Sequence, residues 1–599
     1  MREDEVPPTL SRRQLMKASA TAVVAAKTAT IAAGMVVAGA EAAPATTTAE
    51  KYILTRLSEN NCKKLFGVPG ATCSPIFEAA RSPSDVSLVV TSSDLGAGYA
   101  ADGYARVRGL AAVSVTYGVG TMSLVAAIAG AYVERSPVVV INGGPSAEDL
   151  RLQKELGTLF SHSTGHEKSD LIMFKEVTEF AERIEKPADV PRIVDQAITI
   201  AKTKQRPVYI EVAKDVWGKA CPARAAPLNL TIASSGNETQ LARDIVAKLR
   251  AASKPALLLG IEIERYGLAS ETIALVNRLA IPWSTTLLAK SVIPEQTAGF
   301  VGVYGGENAP PSVIRVIEGA DALLAIGCVM GRQYRRLVRN SAAKMTLAFN
   351  GQVKIGAAPA KPASLRALLA ALQAQPWTPN PALIAGTKLP GLTFDERRYS
   401  IPARPAAPEP GLAYDEVLRA VSAALDDTLI TITDTSLSMY PAADLNIIGQ
   451  NGFLCDAVWQ AIGYSVGTAV GVGVAQGRRP LVICGDGGFQ MTAQSLSSMV
   501  KERIPAIVIV LDNGLHAIEQ WILAVGYFGN TNAAPTPYLA LGRWSYADLA
   551  KALGFGFART VDTFAAFAQA LADAKASAAP AFIAATIKPH DLPAGLPTG

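Results

Sequence analysis

No two of the six cysteines are close enough to form a Cys-x-x-Cys pair. Cys62, Cys73, Cys221, Cys328, Cys455 and Cys484 are scattered along the chain. This argues against a zinc site or a disulfide framework, and it reads as buried thiols used as small apolar residues. Charge of one sign is scarce as well: the net charge is +5 over 599 residues, and no run of five like charges occurs. The chain therefore carries no electrostatic footprint for nucleic acid. A long unbroken apolar run is also missing from the N-terminal region, where an Ala/Val-rich stretch from about Ala18 to Ala40 is interrupted by Lys27. The interruption and the abundance of alanine weaken a membrane-spanning reading.

What is present describes a folded globular protein: 49% of residues are hydrophobic and 18% charged, outside the range of disordered chains. The length exceeds what one hydrophobic core organises and sets a prior of roughly three to five domains. Residues 1–45 read as a leader rather than as part of the fold. Ser11-Arg12-Arg13-Gln14-Leu15-Met16-Lys17 precedes the weakly apolar stretch, and Ala40-Glu41-Ala42 offers a small-x-small cleavage site. Twin arginines before such a stretch predict a Tat-type signal and an exported, periplasmic protein; the alternative is a disordered leader with a chance Arg-Arg. That pathway carries already folded proteins.

After the leader, short β-rich apolar runs alternate with helical segments at the spacing of βα units. Leu88-Val89-Val90-Thr91, Ala112-Val113-Ser114-Val115-Thr116, Pro137-Val138-Val139-Val140-Ile141 and Val208-Tyr209-Ile210-Glu211-Val212 form a first block, residues 48–221. A Pro/Ala/Ser-rich stretch follows. A second block, residues 237–356, contains Ala256-Leu257-Leu258-Leu259-Gly260 and Ala322-Leu323-Leu324-Ala325-Ile326-Gly327. Residues 357–410, rich in Pro and Ala, read as a second linker. The third block, residues 411–595, contributes Leu429-Ile430-Thr431-Ile432, Leu481-Val482-Ile483-Cys484, Ile507-Val508-Ile509-Val510 and Ala581-Phe582-Ile583-Ala584. Runs apolar on both faces predict parallel strands covered by helices, hence an α/β protein of three doubly wound domains. The first and third could be related folds.

The most specific motif lies in the third block. Gly485-Asp486-Gly487-Gly488-Phe489 follows one buried-strand pattern, and Asp512-Asn513-Gly514 follows the next, with Asp486 and Asn513 separated by 27 positions. Each motif alone reads as an ordinary turn. Paired at the carboxyl ends of successive strands, they predict a diphosphate held through a hard divalent cation. Asp486 would supply a carboxylate, Asn513 an amide carbonyl and Leu515 a backbone carbonyl. Glycines 485, 487 and 488 would let backbone approach the phosphates.

Gly485-Asp486-Gly487 with Asn513 resembles the diphosphate–Mg²⁺ signature of the thiamin-diphosphate enzymes, and the likeness extends over nearly all of residues 48–590. Within that superfamily the chain is similar to the pyruvate/indolepyruvate decarboxylase branch. The similarity is carried by Ala97-Gly98-Tyr99-Ala100-Ala101-Asp102-Gly103-Tyr104-Ala105-Arg106, Ile293-Pro294-Glu295 with Gly302-Val303-Tyr304, and Val458-Trp459-Gln460-Ala461-Ile462-Gly463-Tyr464. Ala517-Ile518-Glu519 and Arg543-Trp544-Ser545-Tyr546 add to it. The resemblance implies a pyrimidine-binding, a central and a diphosphate-binding domain, with thiamin diphosphate and Mg²⁺ as cofactors. It also implies a homodimer or homotetramer with the cofactor between subunits. Ile462 would be the bulky residue under the cofactor, or simple core. Gln460, Thr435 and Ser436 would contact the cofactor, or the last two would be turn residues.

The resemblance also marks departures. In the family a glutamate bonds the aminopyrimidine ring and drives proton loss from the cofactor. At the matching position stands Asp94, one methylene shorter; it either serves that relay or caps the following helix. The acid that pyruvate decarboxylases carry directly after Val-Pro-Gly is missing: Gly67-Val68-Pro69-Gly70 is followed by Ala71. Their adjacent His-His pair is split into His162 and His166, of which His162 is the better proton-handling candidate. Glu519 matches the family's C-terminal active-site glutamate. The leading expectation is a 2-oxo acid decarboxylase giving an aldehyde and CO₂. An acetolactate-synthase-like carboligase and a non-catalytic cofactor-binding protein are the alternatives, because losing an acid should weaken protonation more than carbon–carbon bond formation.

Overall fold

The computed structural model describes residues 45–81, 83–224, 226–385 and 391–596; the candidate export signal lies outside them. From Thr46 onward the chain forms one compact unit, built on three largely parallel sheets. Strands such as Val138–Gly144 and Ile507–Asp512 are apolar on both sides because helices cover both faces.

The first sheet has six parallel strands in the spatial order Ser87–Val90, Lys64–Gly67, Ala111–Ser114, Val138–Gly144, Val208–Ala213, Phe180–Ile184. The third runs Phe453–Cys455, Leu429–Thr433, Arg479–Gly485, Ile507–Asp512, Ala581–Thr586, Phe557–Val561, again all parallel. Numbered by chain position within each sheet, both read 2-1-3-4-6-5. The first and third domains thus share one topology, although their sequences show no repeat.

The central sheet has seven strands, in the order Phe300–Tyr304, Trp283–Thr286, Pro255–Leu259, Ala322–Ile326, Met345–Phe349, Gln352–Ile355, Lys361–Pro362, with Gln352–Ile355 antiparallel to both its neighbours. Its final strand and the helix Leu365–Ala374 fall in the segment read from sequence as linker. That helix buries Leu368, Leu369 and Leu372 in the same core as Leu241, Ile245 and Leu249. The prolines that flank it, Pro359, Pro362 and Pro376, all lie outside the helix.

The first and third domains meet along two glycine-bearing helices, Asp94–Arg108 and Tyr464–Val474. A Cβ on Gly103 would stand 2.5 Å from the Thr468 carbonyl oxygen, and one on Gly471 1.7 Å from that of Ala100. Only glycine lets the backbones come this close. Beneath the contact Arg106 is buried, bonding to Asp102 at 2.8 Å, Glu134 at 2.9 Å and the Cys455 carbonyl at 3.1 Å. All six cysteines are free and buried, and among the described residues no helix is long and apolar enough to cross a membrane.

Candidate active site

In the third sheet the chain steps from Leu429–Thr433 outward to Phe453–Cys455, then back across to Arg479–Gly485 on the other side. That reversal opens a crevice at the carboxyl ends of the strands, where open α/β sheets bind ligands. A cleft lies there. Thr435 and Ser436 line it from the end of Leu429–Thr433; Gly485, Asp486, Gly487 and Gly488 line it from Arg479–Gly485 and the start of the next helix. Asn513 and Leu515 close it from the end of Ile507–Asp512, and Ile462 forms a further wall. Nine of the sequence-predicted residues therefore meet in one cavity.

Asp486 opens the helix Asp486–Thr492 and is 1% exposed. Its Oδ1 accepts the Gly487 N–H at 2.9 Å and its Oδ2 the Gly514 N–H at 2.6 Å. No cationic side chain pairs with it among the described residues, and burial, reinforced by neighbouring Asp512, pushes its carboxyl up to about 7. A carboxylate kept from water without a counter-charge is the group a divalent cation would hold ionised. Asn513, also buried, turns its Oδ1 to the Leu515 N–H at 3.1 Å and its Nδ2 to the Tyr414 hydroxyl at 3.0 Å. The Leu515 carbonyl accepts from Ala517 at 2.8 Å, which leaves it one lone pair. Asp486 Oδ, Asn513 Oδ1 and the Leu515 carbonyl thus form an all-oxygen donor set suited to Mg²⁺. Among the described residues no cluster of three His, Cys, Asp or Glu side chains could hold a metal. The glycines are tight: a Cβ on Gly487 would come 2.7 Å from His516 Nδ1, and one on Gly488 2.5 Å from Asp434 Oδ1.

Ile462 is set in place by Asp434, which the sequence reading missed. Asp434 is buried, and accepts from the N–H of Gly463 at 2.9 Å, the N–H of Ser465 at 2.9 Å and the Ser465 hydroxyl at 2.7 Å. Gly463 at φ +84° turns the chain into the following helix. The signal was present: an acid at the carboxyl end of a strand, one residue before Thr435. Thr435 donates weakly to the Asp456 carbonyl at 3.4 Å, and Ser436 shares a 2.7 Å bond with Ser438. Gln460, held at φ +63°, bonds to Tyr440 and does not line the cleft. Tyr414 and His516, which do, were not anticipated.

Three sequence-family matches fall on the three domains. Residues 47–164 match the thiamine pyrophosphate enzyme N-terminal TPP binding domain, 242–354 the central domain and 435–585 the C-terminal TPP binding domain. The chain belongs to the thiamine pyrophosphate enzyme family. A probable pyruvate decarboxylase of Schizosaccharomyces pombe is 28% identical over 517 residues, 85% of this chain and 87% of that protein. An alpha-keto-acid decarboxylase of Mycobacterium tuberculosis is 29% identical over 507 residues, 84% of this chain and 87% of the relative. Among solved structures, the thiamine diphosphate-dependent 4-hydroxybenzoylformate decarboxylase of Rhodococcus jostii RHA1 superposes with a TM-score of 0.71 at 20% identity, covering 90% of this chain and 99% of that one. The benzoylformate decarboxylase of Polynucleobacter necessarius gives 0.71 at 18%, with 91% and 99% covered. At these identities the superpositions establish the shared fold.

Of the remaining candidates for a thiamine pyrophosphate enzyme, none lines the cleft, and only Glu519 borders it. Asp94 is half-buried in the first turn of Asp94–Arg108, but it is not the cap: Ser93 is, accepting the Gly96 N–H at 3.1 Å. Burial raises the Asp94 carboxyl above its ordinary range. A Cβ on Gly120 would lie 3.0 Å from Asp94 Oδ1, and one on Gly118 2.9 Å from the Cβ of His162. The two residues therefore converge on one turn, the start of Val119–Val133. His162 is exposed at φ +68°, and His166 is exposed in the same loop. Glu519 is exposed on the first turn of Ala517–Ala524, beside cleft-lining Ala517 and Ile518. No first-domain residue lines the cleft within the single chain.

Proposed function

We propose that this chain is a thiamin-diphosphate- and Mg²⁺-dependent decarboxylase of 2-oxo acids that yields an aldehyde and CO₂. The observation that carries the proposal is the buried, uncompensated Asp486 carboxylate facing the same cavity as the oriented Asn513 amide. Asp486, Asn513 and the Leu515 carbonyl would hold the metal. Gly485, Gly487, Gly488, Thr435 and Ser436 would receive the diphosphate, and Ile462 would support the ring system. When bound, thiamin diphosphate supplies a nucleophilic carbon and a sink for the electrons left by CO₂. The protein's own part is to position it and to move protons. Glu519 at the cleft rim is placed to give or take a proton on the substrate side.

A second copy of the chain completes this reading. Asp94 and His162 cluster on one turn outside their own chain's cleft, so a partner's first domain would bring Asp94 to the pyrimidine ring and His162 near the substrate. The names of the pyruvate and alpha-keto-acid decarboxylase relatives support the substrate class. Ala71 favours a second outcome at the same site: without an acid there, protonation is slowed relative to attack on a second carbonyl compound, giving an acyloin. Arg12-Arg13 and the stretch after them support export through the Tat pathway to the periplasm.

Incubating the purified protein with thiamin diphosphate, Mg²⁺ and, in turn, pyruvate, phenylpyruvate and benzoylformate tests the proposal, with aldehyde and acyloin measured separately. CO₂ release that is lost on chelation and in Asp486→Ala supports it. Failure of the wild type to bind thiamin diphosphate at all would sink it.

A further inference from the structure

Ile462 and Gln460 lie on a loop, residues 456–463, that leaves the strand Phe453–Cys455 and enters the helix Tyr464–Val474. A loop between secondary elements ordinarily satisfies its backbone with water or with its own turns. Here four of its N–H groups donate to buried carboxylates. Gly463 donates to Asp434 at 2.9 Å and Ala461 to Asp456 at 2.8 Å, both within the third domain. Val458 and Trp459 donate at 2.7 and 3.3 Å to one oxygen of Glu134, which belongs to the first domain. The second oxygen of Glu134 takes the Arg106 guanidinium at 2.9 Å. Glu134 is fully buried, and Arg106 and Asp456 nearly so.

The loop needs this restraint. Gln460 sits at φ +63°, a left-handed conformation that a residue with a Cβ keeps only when its surroundings impose it. Trp459 lies across Gly130, where a Cβ would stand 3.0 Å from its ring. The first-domain helix Val119–Val133 therefore both receives the Trp459 ring and, through Glu134 at its carboxyl end, clamps the backbone on either side of it. The Asp486 and Asn513 side chains hang on different strands and bond to none of the clamp residues. The loop meets the anchor side only through the Thr435 hydroxyl on the Asp456 carbonyl at 3.4 Å and the Thr492 hydroxyl on the Gly463 carbonyl at 2.7 Å, neither of which involves Glu134.

We propose that Glu134 is a positioning residue: from the first domain of the same chain it fixes the loop bearing Ile462 against the cofactor cavity, and so sets affinity for the organic part of the cofactor without acting on its pyrophosphate anchor. The inference rests on the cofactor reading above and deepens it. It gives the first domain two duties, holding its own chain's Ile462 loop through Glu134 and presenting Asp94 to a partner's cofactor.

Two probes separate the clamp from general damage. Magnesium thiamin diphosphate needs both the anchor and the loop; magnesium pyrophosphate needs the anchor alone. Full-length wild type, Glu134→Ala, Glu134→Asp and Glu134→Gln are titrated with each probe by calorimetry, with melting curves to verify folding. Glu134→Asp keeps the charge beside Arg106 but pulls the carboxylate back from Val458 and Trp459, and it serves if Glu134→Ala fails to fold. Glu134→Gln keeps an acceptor in place. Loss of a supporting partner typically costs 10–100-fold, so thiamin diphosphate affinity should fall by about tenfold or more in the Ala and Asp variants and recover to within about threefold in Gln, with pyrophosphate affinity changed less than about twofold throughout. A folded Ala or Asp variant that binds thiamin diphosphate like the wild type overturns the positioning role, as does a parallel loss of both probes. A wild type that binds neither probe removes the cofactor reading itself, and this inference with it.

Discussion

The Tyr414 hydroxyl accepts the Nδ2–H of Asn513 at 3.0 Å while the Leu515 N–H binds the Oδ1 of the same amide at 3.1 Å. A backbone N–H can only donate, so the oxygen end of the amide is fixed by Leu515 and its nitrogen end is held away from the cleft by Tyr414. Tyr414→Phe keeps the ring's packing and removes one hydrogen bond, about 1 kcal/mol. With Nδ2 released, the amide spends time with its oxygen turned from the metal position. We expect the apparent Mg²⁺ affinity at saturating thiamin diphosphate to fall by roughly five- to tenfold, within the range for outer-shell partners of a metal site. A change smaller than twofold would reduce Tyr414 to a packing residue.

The contrast between Tyr414 and Asp486 shows what a sequence can carry. Asp486 and Asn513 were legible because each stands at the end of a buried-strand pattern with glycines beside it. Tyr414 is 99 positions from Asn513 and opens a helix of ordinary amphipathic pattern; only the fold brings its hydroxyl to the amide. Asp434 lies between these cases, adjacent to Thr435 yet with partners about thirty residues away. Segment 357–410 was misread because Pro and Ala dominate its composition, whereas Leu368, Leu369 and Leu372 supply one short apolar face. Asp94 as helix cap failed for a local reason, since Ser93 directly before it offers the better cap geometry.

The helix pair joining the first and third domains predicts a sharp steric asymmetry among glycines. At Gly471 a Cβ would meet the Ala100 carbonyl at 1.7 Å, backbone against backbone, so the helices must separate. Gly471→Ala should cost about 3 kcal/mol or more of stability, in the range of overpacked cores. Gly526→Ala, where nothing lies within 4 Å of the new methyl, should change stability by less than about 0.5 kcal/mol. Urea unfolding of both variants checks this, and equal effects would mean the helices are not packed as described.

Asp591 gives a pH dependence with a definite sign. It is 5% exposed, accepts the Tyr414 N–H at 2.8 Å, and burial pushes its carboxyl from 3.8 up to about 6 despite that bond, with Asp415 reinforcing the rise. A folded-state value above the unfolded one means the native protein holds the proton more tightly. The contribution is fully present below about pH 4 and is lost as pH rises through about 6, a difference of roughly 3 kcal/mol for two units. Asp591→Asn keeps an oxygen for the Tyr414 N–H and cannot titrate. Between about pH 4 and pH 7 the wild type should therefore lose roughly 2–3 kcal/mol relative to this variant. A pH-independent difference in denaturant unfolding would show that the native carboxyl is not raised.

Asp94 carries the remaining test, because its geometry separates proton transfer from binding. It touches none of the residues around Asp486, so replacing it should leave magnesium pyrophosphate binding unchanged. In the proposed dimer its carboxylate would have to be ionised to accept a hydrogen bond from the pyrimidine ring of the partner's cofactor. Burial raises that carboxyl, and the acidic limb of turnover should accordingly fall at higher pH than an ordinary aspartate would give. Asp94→Ala should lower turnover by about a hundredfold or more, within the range for general acid–base groups. The Gly118-Val119-Gly120 turn is packed tightly between Asp94 and His162, so a longer side chain has to extend away from the turn. If the shorter stem is what limits the relay, Asp94→Glu restores the family's reach and turnover rises. If Asp94→Ala turns over as fast as the wild type, the proton moves by another route and the relay assignment is wrong.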